Sequence, residues 1–255
     1  MSLSPKLLEK IKAELLDWAR FIVLFLVGFY VFSTIFYALF FIPSGSMRPT
    51  LEVGDRFVAS KWAYGWSRYS LPWGVANLLP QKEGRFLGRL PKRGDVAVFV
   101  NPNNKMVMIK RVIGLPGDVV ETRGGRLYIN GERVPRTFLR MSRYRDHYGQ
   151  IRTAQVYSEH FTDRQRPHTI YEFSDQMVLP NWSPDDAGPF TVKDGHVFMM
   201  GDNRDNSNDS RSPHGPGQVP LENLIGKAQT VVFTLARCRK EPGLDCPSGR
   251  IWRLF

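Results

Sequence analysis

Two cysteines, five histidines and a deficit of acidic side chains set the first limits on this 255-residue chain. Cys238 and Cys246 lack the paired Cys/His spacing of a zinc site. In an oxidising compartment they can close a small loop as a disulfide; otherwise they are two thiols near the C-terminus, and the sequence leaves both readings open. None of His147, His160, His168, His196 and His214 sits in a recognisable motif, and the chain has no G-x-S-x-G, S-x-x-K or H-E-x-x-H. That removes the sequence support for a Ser-His-Asp hydrolase with a nucleophile elbow and for a helix-borne zinc peptidase. Lys and Arg number 35 against 24 Asp and Glu, a net charge of +11. The excess is diffuse, with no basic arm and no nucleic-acid motif, so nucleic acid is not expected as a partner. Internal repeats and low-complexity tracts are absent as well.

Charge is missing altogether from Phe21 to Ile42. A helix of that length spans about 33 Å, close to the hydrocarbon thickness of a bilayer. A cleavable secretory signal has a shorter apolar region, about 7–15 residues, followed by a small-x-small site. Here the run ends in Phe40-Phe41-Ile42-Pro43, which suits an uncleaved transmembrane anchor at 21–42. Lys6, Lys10, Lys12 and Arg20 precede it and favour a cytoplasmic N-terminal segment, 1–20, with the bulk of the chain extracytoplasmic.

After residue 42 the chain is punctuated by Pro and Gly, which suits short strands and turns. Strands are expected at Asp55–Lys61, Asp95–Val100, Met106–Ile113, Val197–Met200 and Ala228–Leu235, and Asn130-Gly131 signals a hairpin within Arg126–Val134. Leu71–Leu79, in a Trp- and Tyr-rich stretch, suits either the lipid interface or an aromatic loop packed on the core. The expected fold is mostly β: an antiparallel sheet catalytic core (43–118 and 193–235), an inserted β-rich region (119–192) and a C-terminal tail (236–255), preceded by one N-terminal transmembrane helix.

Three segments carry chemistry. In Ser44-Gly45-Ser46-Met47, Gly45 suits a turn that presents Ser46. Serine is a poor nucleophile without a base to take its proton. In Met106–Ile113, strand alternation places Lys110 on one face with Met106, Met108 and Val112. Loss of water there disfavours the ammonium and makes a neutral amine available as base, a role that Arg111 cannot fill. The third segment, Gly201 to Arg211, alternates carboxylates with Arg204 and Arg211. It does not fit a calcium loop: counted from Asp205, positions six and twelve are Ser210 and Pro216.

Ile42-Pro-Ser-Gly-Ser-Met47 with Pro49-Thr50-Leu51, Gly54-Asp55, Lys110-Arg-Val-Ile-Gly-Leu-Pro-Gly-Asp118 and Gly201–Arg211 resemble, in content and order, the boxes of bacterial type I signal peptidases. The resemblance implies Ser46 as acylated nucleophile and Lys110 as general base, in a Ser–Lys dyad. It implies an oxyanion hole from the Ser46 N–H and the Ser44 hydroxyl. Ser207 would orient the lysine amine, with Asp209 and Arg211 as a supporting ion pair and Arg111 nearby. Ile42, Leu51, Met108 and Ile109 would line shallow pockets for small side chains. Neither metal nor organic cofactor is implied. The implied substrates are exported preproteins, cut after Ala-x-Ala-like sites at the bacterial cytoplasmic membrane. Arg48 departs from the family, where many members carry an apolar residue, and leaves the local membrane or substrate contact open. A pilin-maturing conjugation peptidase of the same chemistry and a non-enzymatic membrane-tethered binding protein are the alternatives.

Overall fold

A computed structural model describes residues 5–71, 75, 77–80, 84–146, 148–164, 166–173, 183–235, 241–246 and 249–255. One helix, α1, runs Pro5–Phe36. Sixteen strands follow among the described residues. The first eight are β1 Tyr37–Phe41, β2 Asp55–Ser60, β3 Trp66–Ser67, β4 Arg85–Phe86, β5 Val96–Val100, β6 Val107–Gly114, β7 Val119–Arg123 and β8 Arg126–Ile129. The others are β9 Glu132–Arg133, β10 Arg136–Arg145, β11 Ile151–Glu159, β12 His168–Phe173, β13 Ala187–Thr191, β14 His196–Met200, β15 Val219–Pro220 and β16 Leu224–Thr234.

The helix differs from the expected 21–42 span at both ends. It starts inside the polar segment, as one continuous helix of 32 residues, about 48 Å. It stops at Phe36 although the apolar run continues to Ile42. The stop has a tertiary cause. Lys61 Nζ donates to the Thr34 carbonyl at 2.8 Å and Trp66 Nε1 to that of Ile35 at 2.8 Å. The Lys61 N–H takes the Phe36 carbonyl at 2.9 Å. These are carbonyls that a helix end leaves without internal partners. Tyr37–Phe41 then pairs antiparallel with β2, from Tyr37↔Ser60 to Phe41↔Arg56. Most of α1 meets no core: its large hydrophobic side chains from Ile11 to Phe32 are exposed, and Glu9–Phe36 is long and apolar enough to cross a membrane.

The main sheet has seven strands in the order β1-β2-β16-β5-β6-β14-β15, with antiparallel pairing throughout. Its middle strand β5, Val-Ala-Val-Phe-Val, is an unbroken apolar run because both faces are covered. Val96, Val98 and Val100 join Ile42, Met47, Leu51 and Phe57 in one core. Ala97 and Phe99 join Val112, Val197 and Met199 in another. β7–β13 all lie within 119–192 and make two sheets of their own, β13-β7-β8-β9 and β10-β11-β12. The β8–β9 turn is Asn130-Gly131 with both φ values positive, 54° and 82°, as a two-residue hairpin turn of the primed kind requires. This inserted region meets the main sheet through a third core, in which Val120 and Leu127 pack with Ile113, Phe198 and Met200. β3 and β4 pair in a two-stranded sheet of their own; Leu71–Leu79, between them in sequence, falls partly outside the described residues, and Val75 and Leu78 within it are exposed.

Candidate active site

The nucleophile segment is fixed from both sides. The Ile42 N–H donates to the Asp55 carbonyl and the Gly54 N–H to that of Ile42, each at 2.9 Å. Gly45–Met47 then form a 3₁₀ turn. Met47 and Leu51, fully buried, pin the turn into the first core. Ser46 ends up 9% exposed, inside the protein but reachable.

Lys110 lies in β6 with Ala97 opposite it on β5. Its neighbours two residues either way, Met108 and Val112, pack in the second core. It is 4% exposed, and its Nζ lies 2.7 Å from Ser46 Oγ. Burial pulls the amine down from 10.5 to about 8, while Asp209 and then Asp202 pull the other way. A charged Lys110 donates to Ser46 Oγ. A neutral one can accept the hydroxyl proton, which is the polarity a general base needs.

The Gly201–Arg211 loop closes over this pair. A Cβ on Gly201 would fall 2.5 Å from the Ser46 carbonyl oxygen and 2.3 Å from Ser207 Oγ. Only glycine lets the loop pass there. The Asn203 N–H donates to the Ser46 carbonyl at 3.1 Å and its Nδ2 to that of Gly45 at 2.9 Å. Asp209 accepts from Gly201 N and from Arg211 Nε and Nη2. Burial opposes its ionisation, but the Arg211 charge and these bonds hold the carboxyl below the usual range.

The expected Asp209–Arg211 ion pair is formed, at 2.9 Å. Arg111 grips Asp202 with Nε and Nη2, at 2.7 and 2.6 Å. Asp202 also accepts from the Thr50 hydroxyl, so Asp202 ties β6 to the nucleophile segment. Ser207 is buried, but its Oγ has no hydrogen-bond partner, so the expected bond to the Lys110 amine is not formed. Ser44 Oγ lies 3.4 Å from Ser46 Oγ. Ile42, Leu51 and Ile109 share the first core, whereas Met108 packs in the second and accepts from Asn101 Nδ2. Arg48 faces neither lipid nor open solvent: it is buried, with Nε 2.7 Å from Glu52 Oε2.

Asp202, Asn203 and Glu52 were not singled out by sequence. The first two had a local signal, since they directly follow the glycine that opens the loop. Glu52 had none. Of the histidines, His168 is buried, but its neighbour is Glu159, 3.1 Å from Nε2, and it makes no hydrogen bond to Ser46. His147 lies outside the described residues. Cys246 is disulfide-bonded; Cys238 also lies outside the described residues.

Residues 15–233 match the family model described as signal peptidase, peptidase S26. The signal peptidase I of Pseudomonas aeruginosa is 39% identical over 240 residues, 89% of this chain and 76% of that protein. That of Pseudomonas fluorescens is 40% identical, covering 88% and 75%. That of Rickettsia typhi is 36% identical, covering 76% and 71%. A solved signal peptidase I from Enterococcus faecalis V583 is 26% identical with a TM-score of 0.31, covering 55% of this chain and 97% of that one.

Proposed function

The chain belongs to the signal peptidase family, peptidase S26, and from that premise we propose that it is a membrane-anchored endopeptidase that removes signal peptides from exported preproteins with Ser46 and Lys110 as its dyad. The observation that carries the reading is the buried Lys110 amine, brought to about 8 and lying 2.7 Å from Ser46 Oγ. Neutral Lys110 takes the Ser46 proton as Oγ attacks the scissile carbonyl. The oxyanion is met by the Ser46 N–H and the Ser44 hydroxyl. Collapse of the tetrahedral adduct breaks the C–N bond, and the proton held on Lys110 passes to the leaving amine of the mature protein. Lys110 then deprotonates a water that hydrolyses the acyl-enzyme, and the signal peptide leaves with a free carboxylate.

Cleavage after Ala-x-Ala-like sequences is carried over from the resemblance to signal peptidases; Ile42 and Leu51, which that resemblance assigns to the substrate pockets, are packed beside the Ser46 turn to 1% and 0% exposure. Ser46 follows the end of α1 by ten residues, so the scissile bond is met close to where a preprotein leaves the bilayer. Lys6, Lys10, Lys12 and Arg20 ahead of the span support a cytoplasmic N-terminus, with the β-rich part on the outer face of the cytoplasmic membrane.

The test is cleavage of a purified preprotein in detergent by wild type, Ser46→Ala and Lys110→Ala, with mass spectrometry locating the cut. A cut after a small-x-small site that both substitutions abolish is the expected result. A cut that survives in Ser46→Ala overturns the assignment.

A further inference from the structure

The nucleophile turn and the loop that covers it are both held by the inserted region, through two stacked tyrosines. Tyr144 on β10 and Tyr171 on β12 stack with ring centroids 5.5 Å apart. On one side, the Arg48 guanidinium lies over the Tyr144 ring, 4.5 Å from its centroid. The Arg48 stem crosses Gly45, where a Cβ would sit 3.4 Å from Arg48 Cδ, and Glu52 holds the guanidinium from the same segment. On the other side, the Tyr171 N–H donates to the Asp202 carbonyl at 2.8 Å and the Tyr171 carbonyl accepts from the Arg204 N–H at 2.9 Å. Asn203, between them, returns to Gly45 and Ser46. The contacts close a ring: Ser46 turn, Arg48, Tyr144, Tyr171, loop, Ser46 turn.

We propose that Arg48 and Tyr144 are positioning residues, which use the inserted sheet as a fixed platform to hold the Ser46 turn at attack distance from Lys110. This rests on the dyad reading above. The nucleophile turn has only three residues of its own regular structure, and its serine must meet a base carried by another element. Arg48 carries the link because a guanidinium can stack on an aromatic face and bind a carboxylate at once. An apolar residue at 48 would fill the space over Gly45 without reaching both partners. The role belongs to the pair: the ring face lies under the guanidinium, and the Tyr144 hydroxyl adds hydrogen bonds with Arg48 and Asn203.

The experiment measures kcat and KM for preprotein cleavage by the full-length chain in detergent, with thermal unfolding of each variant in parallel. Arg48→Met and Tyr144→Leu are expected to lower kcat by about 100-fold, the order expected of a misplacement near 1 Å, with KM nearly unchanged. Tyr144→Phe keeps the ring face and loses only the hydroxyl's bonds, and is expected to retain clearly more kcat than Tyr144→Leu. Arg48→Lys keeps the charge but not the planar fork, and is expected to fall between wild type and Arg48→Met. Tyr157→Leu removes another ring of the same sheet, one that meets Phe138 edge-on; it is expected to lower the melting temperature without a matching loss of kcat. Unchanged kcat in Arg48→Met, or a kcat that simply follows melting temperature across all variants, Tyr157→Leu included, overturns the proposal. Should Arg48→Met not fold, the Tyr144→Phe and Tyr144→Leu pair decides alone, and equal kcat in the two overturns it. Ser46→Ala is run alongside. If Ser46→Ala still cleaves, the dyad reading itself fails; if it is dead while Arg48→Met has wild-type kcat, only the positioning role fails.

Discussion

Lys110 is expensive where it sits. In an unfolded chain its amine stays protonated to pH ~10.4; in the fold, burial lowers that to about 8. Below pH 8 both states bind the proton and the fold carries the full cost of a buried charge. Between 8 and 10.4 the folded amine sheds its proton first, so this contribution to stability improves as pH rises, and above that range it vanishes. A shift of this size corresponds to about 3 kcal/mol. Lys110→Met, close in shape and apolar, should therefore be inactive yet more stable than wild type at pH 7 by up to about that amount, with the gain gone by pH ~10.5. Urea unfolding at the two pH values measures it; an equal gain at both would sever the link to titration. The same group sets the rate. In wild type, kcat/KM should rise through a single limb near pH 8 and then level off. A limb near the free-lysine value would mean that the amine is not desolvated in the working enzyme.

Between elements, the junction of α1 with the sheet matters most, because it sets where the catalytic core stands relative to the bilayer. Three bonds make it: Lys61 Nζ to Thr34, Trp66 Nε1 to Ile35 and Lys61 N–H to Phe36. Trp66→Phe keeps the ring contact with Phe36 and removes one donor, which should cost about 1 kcal/mol. Adding Lys61→Met frees a second carbonyl. The double variant should cleave a membrane-embedded preprotein several-fold more slowly while cutting a short soluble peptide at the normal rate, since a loosened joint misplaces the core and not the dyad. Equal losses on both substrates would count against that. The anchor helix is where expected, but its end at Phe36 is not: Phe21–Ile42 is uncharged throughout, and hydropathy does not distinguish a last helical turn from an edge strand. What ends the helix at Phe36 lies well along the chain, in Lys61 and Trp66. Elements with a local cause were legible. Asn130-Gly131 announces its own turn, the Val-Ala-Val-Phe-Val run announces a strand buried on both faces, and Ser46 and Lys110 lie in segments whose composition is distinctive. Pairs such as Arg48 with Tyr144, or Arg111 with Asp202, leave no mark in either segment alone, because each half is an ordinary charged or aromatic residue until the fold brings the other to it.

Across the whole molecule, the inserted region and the catalytic core are joined by buried charge as well as by apolar packing. Arg204, in the loop over the active site, reaches into the insert and binds Glu159 of β11 with both Nη atoms. His168 of β12 stands on the same carboxylate. Burial opposes ionisation of Glu159, yet Arg204 and then His168 outweigh it and hold the carboxyl far below its ordinary value. A depressed carboxyl contributes stability that is fully present above its unfolded value of about 4.3 and is lost as pH falls toward the folded one. Asp202 and Asp209 are depressed in the same way by Arg111 and Arg211. Acid should therefore weaken the contact between insert and core. Glu159→Gln leaves Arg204 buried against a neutral amide, which should destabilise the protein by about 3 kcal/mol or more at pH 7. The difference from wild type should shrink as pH falls below about 4, because the wild type then begins to lose the interaction that the variant already lacks. Parallel acid and urea titrations of the two proteins follow that difference directly. A gap that stays constant from pH 7 to pH 3 would show that Glu159 acts through packing and not through charge, and would leave the apolar contacts of Val120 and Leu127 with Ile113, Phe198 and Met200 as what holds the insert in place.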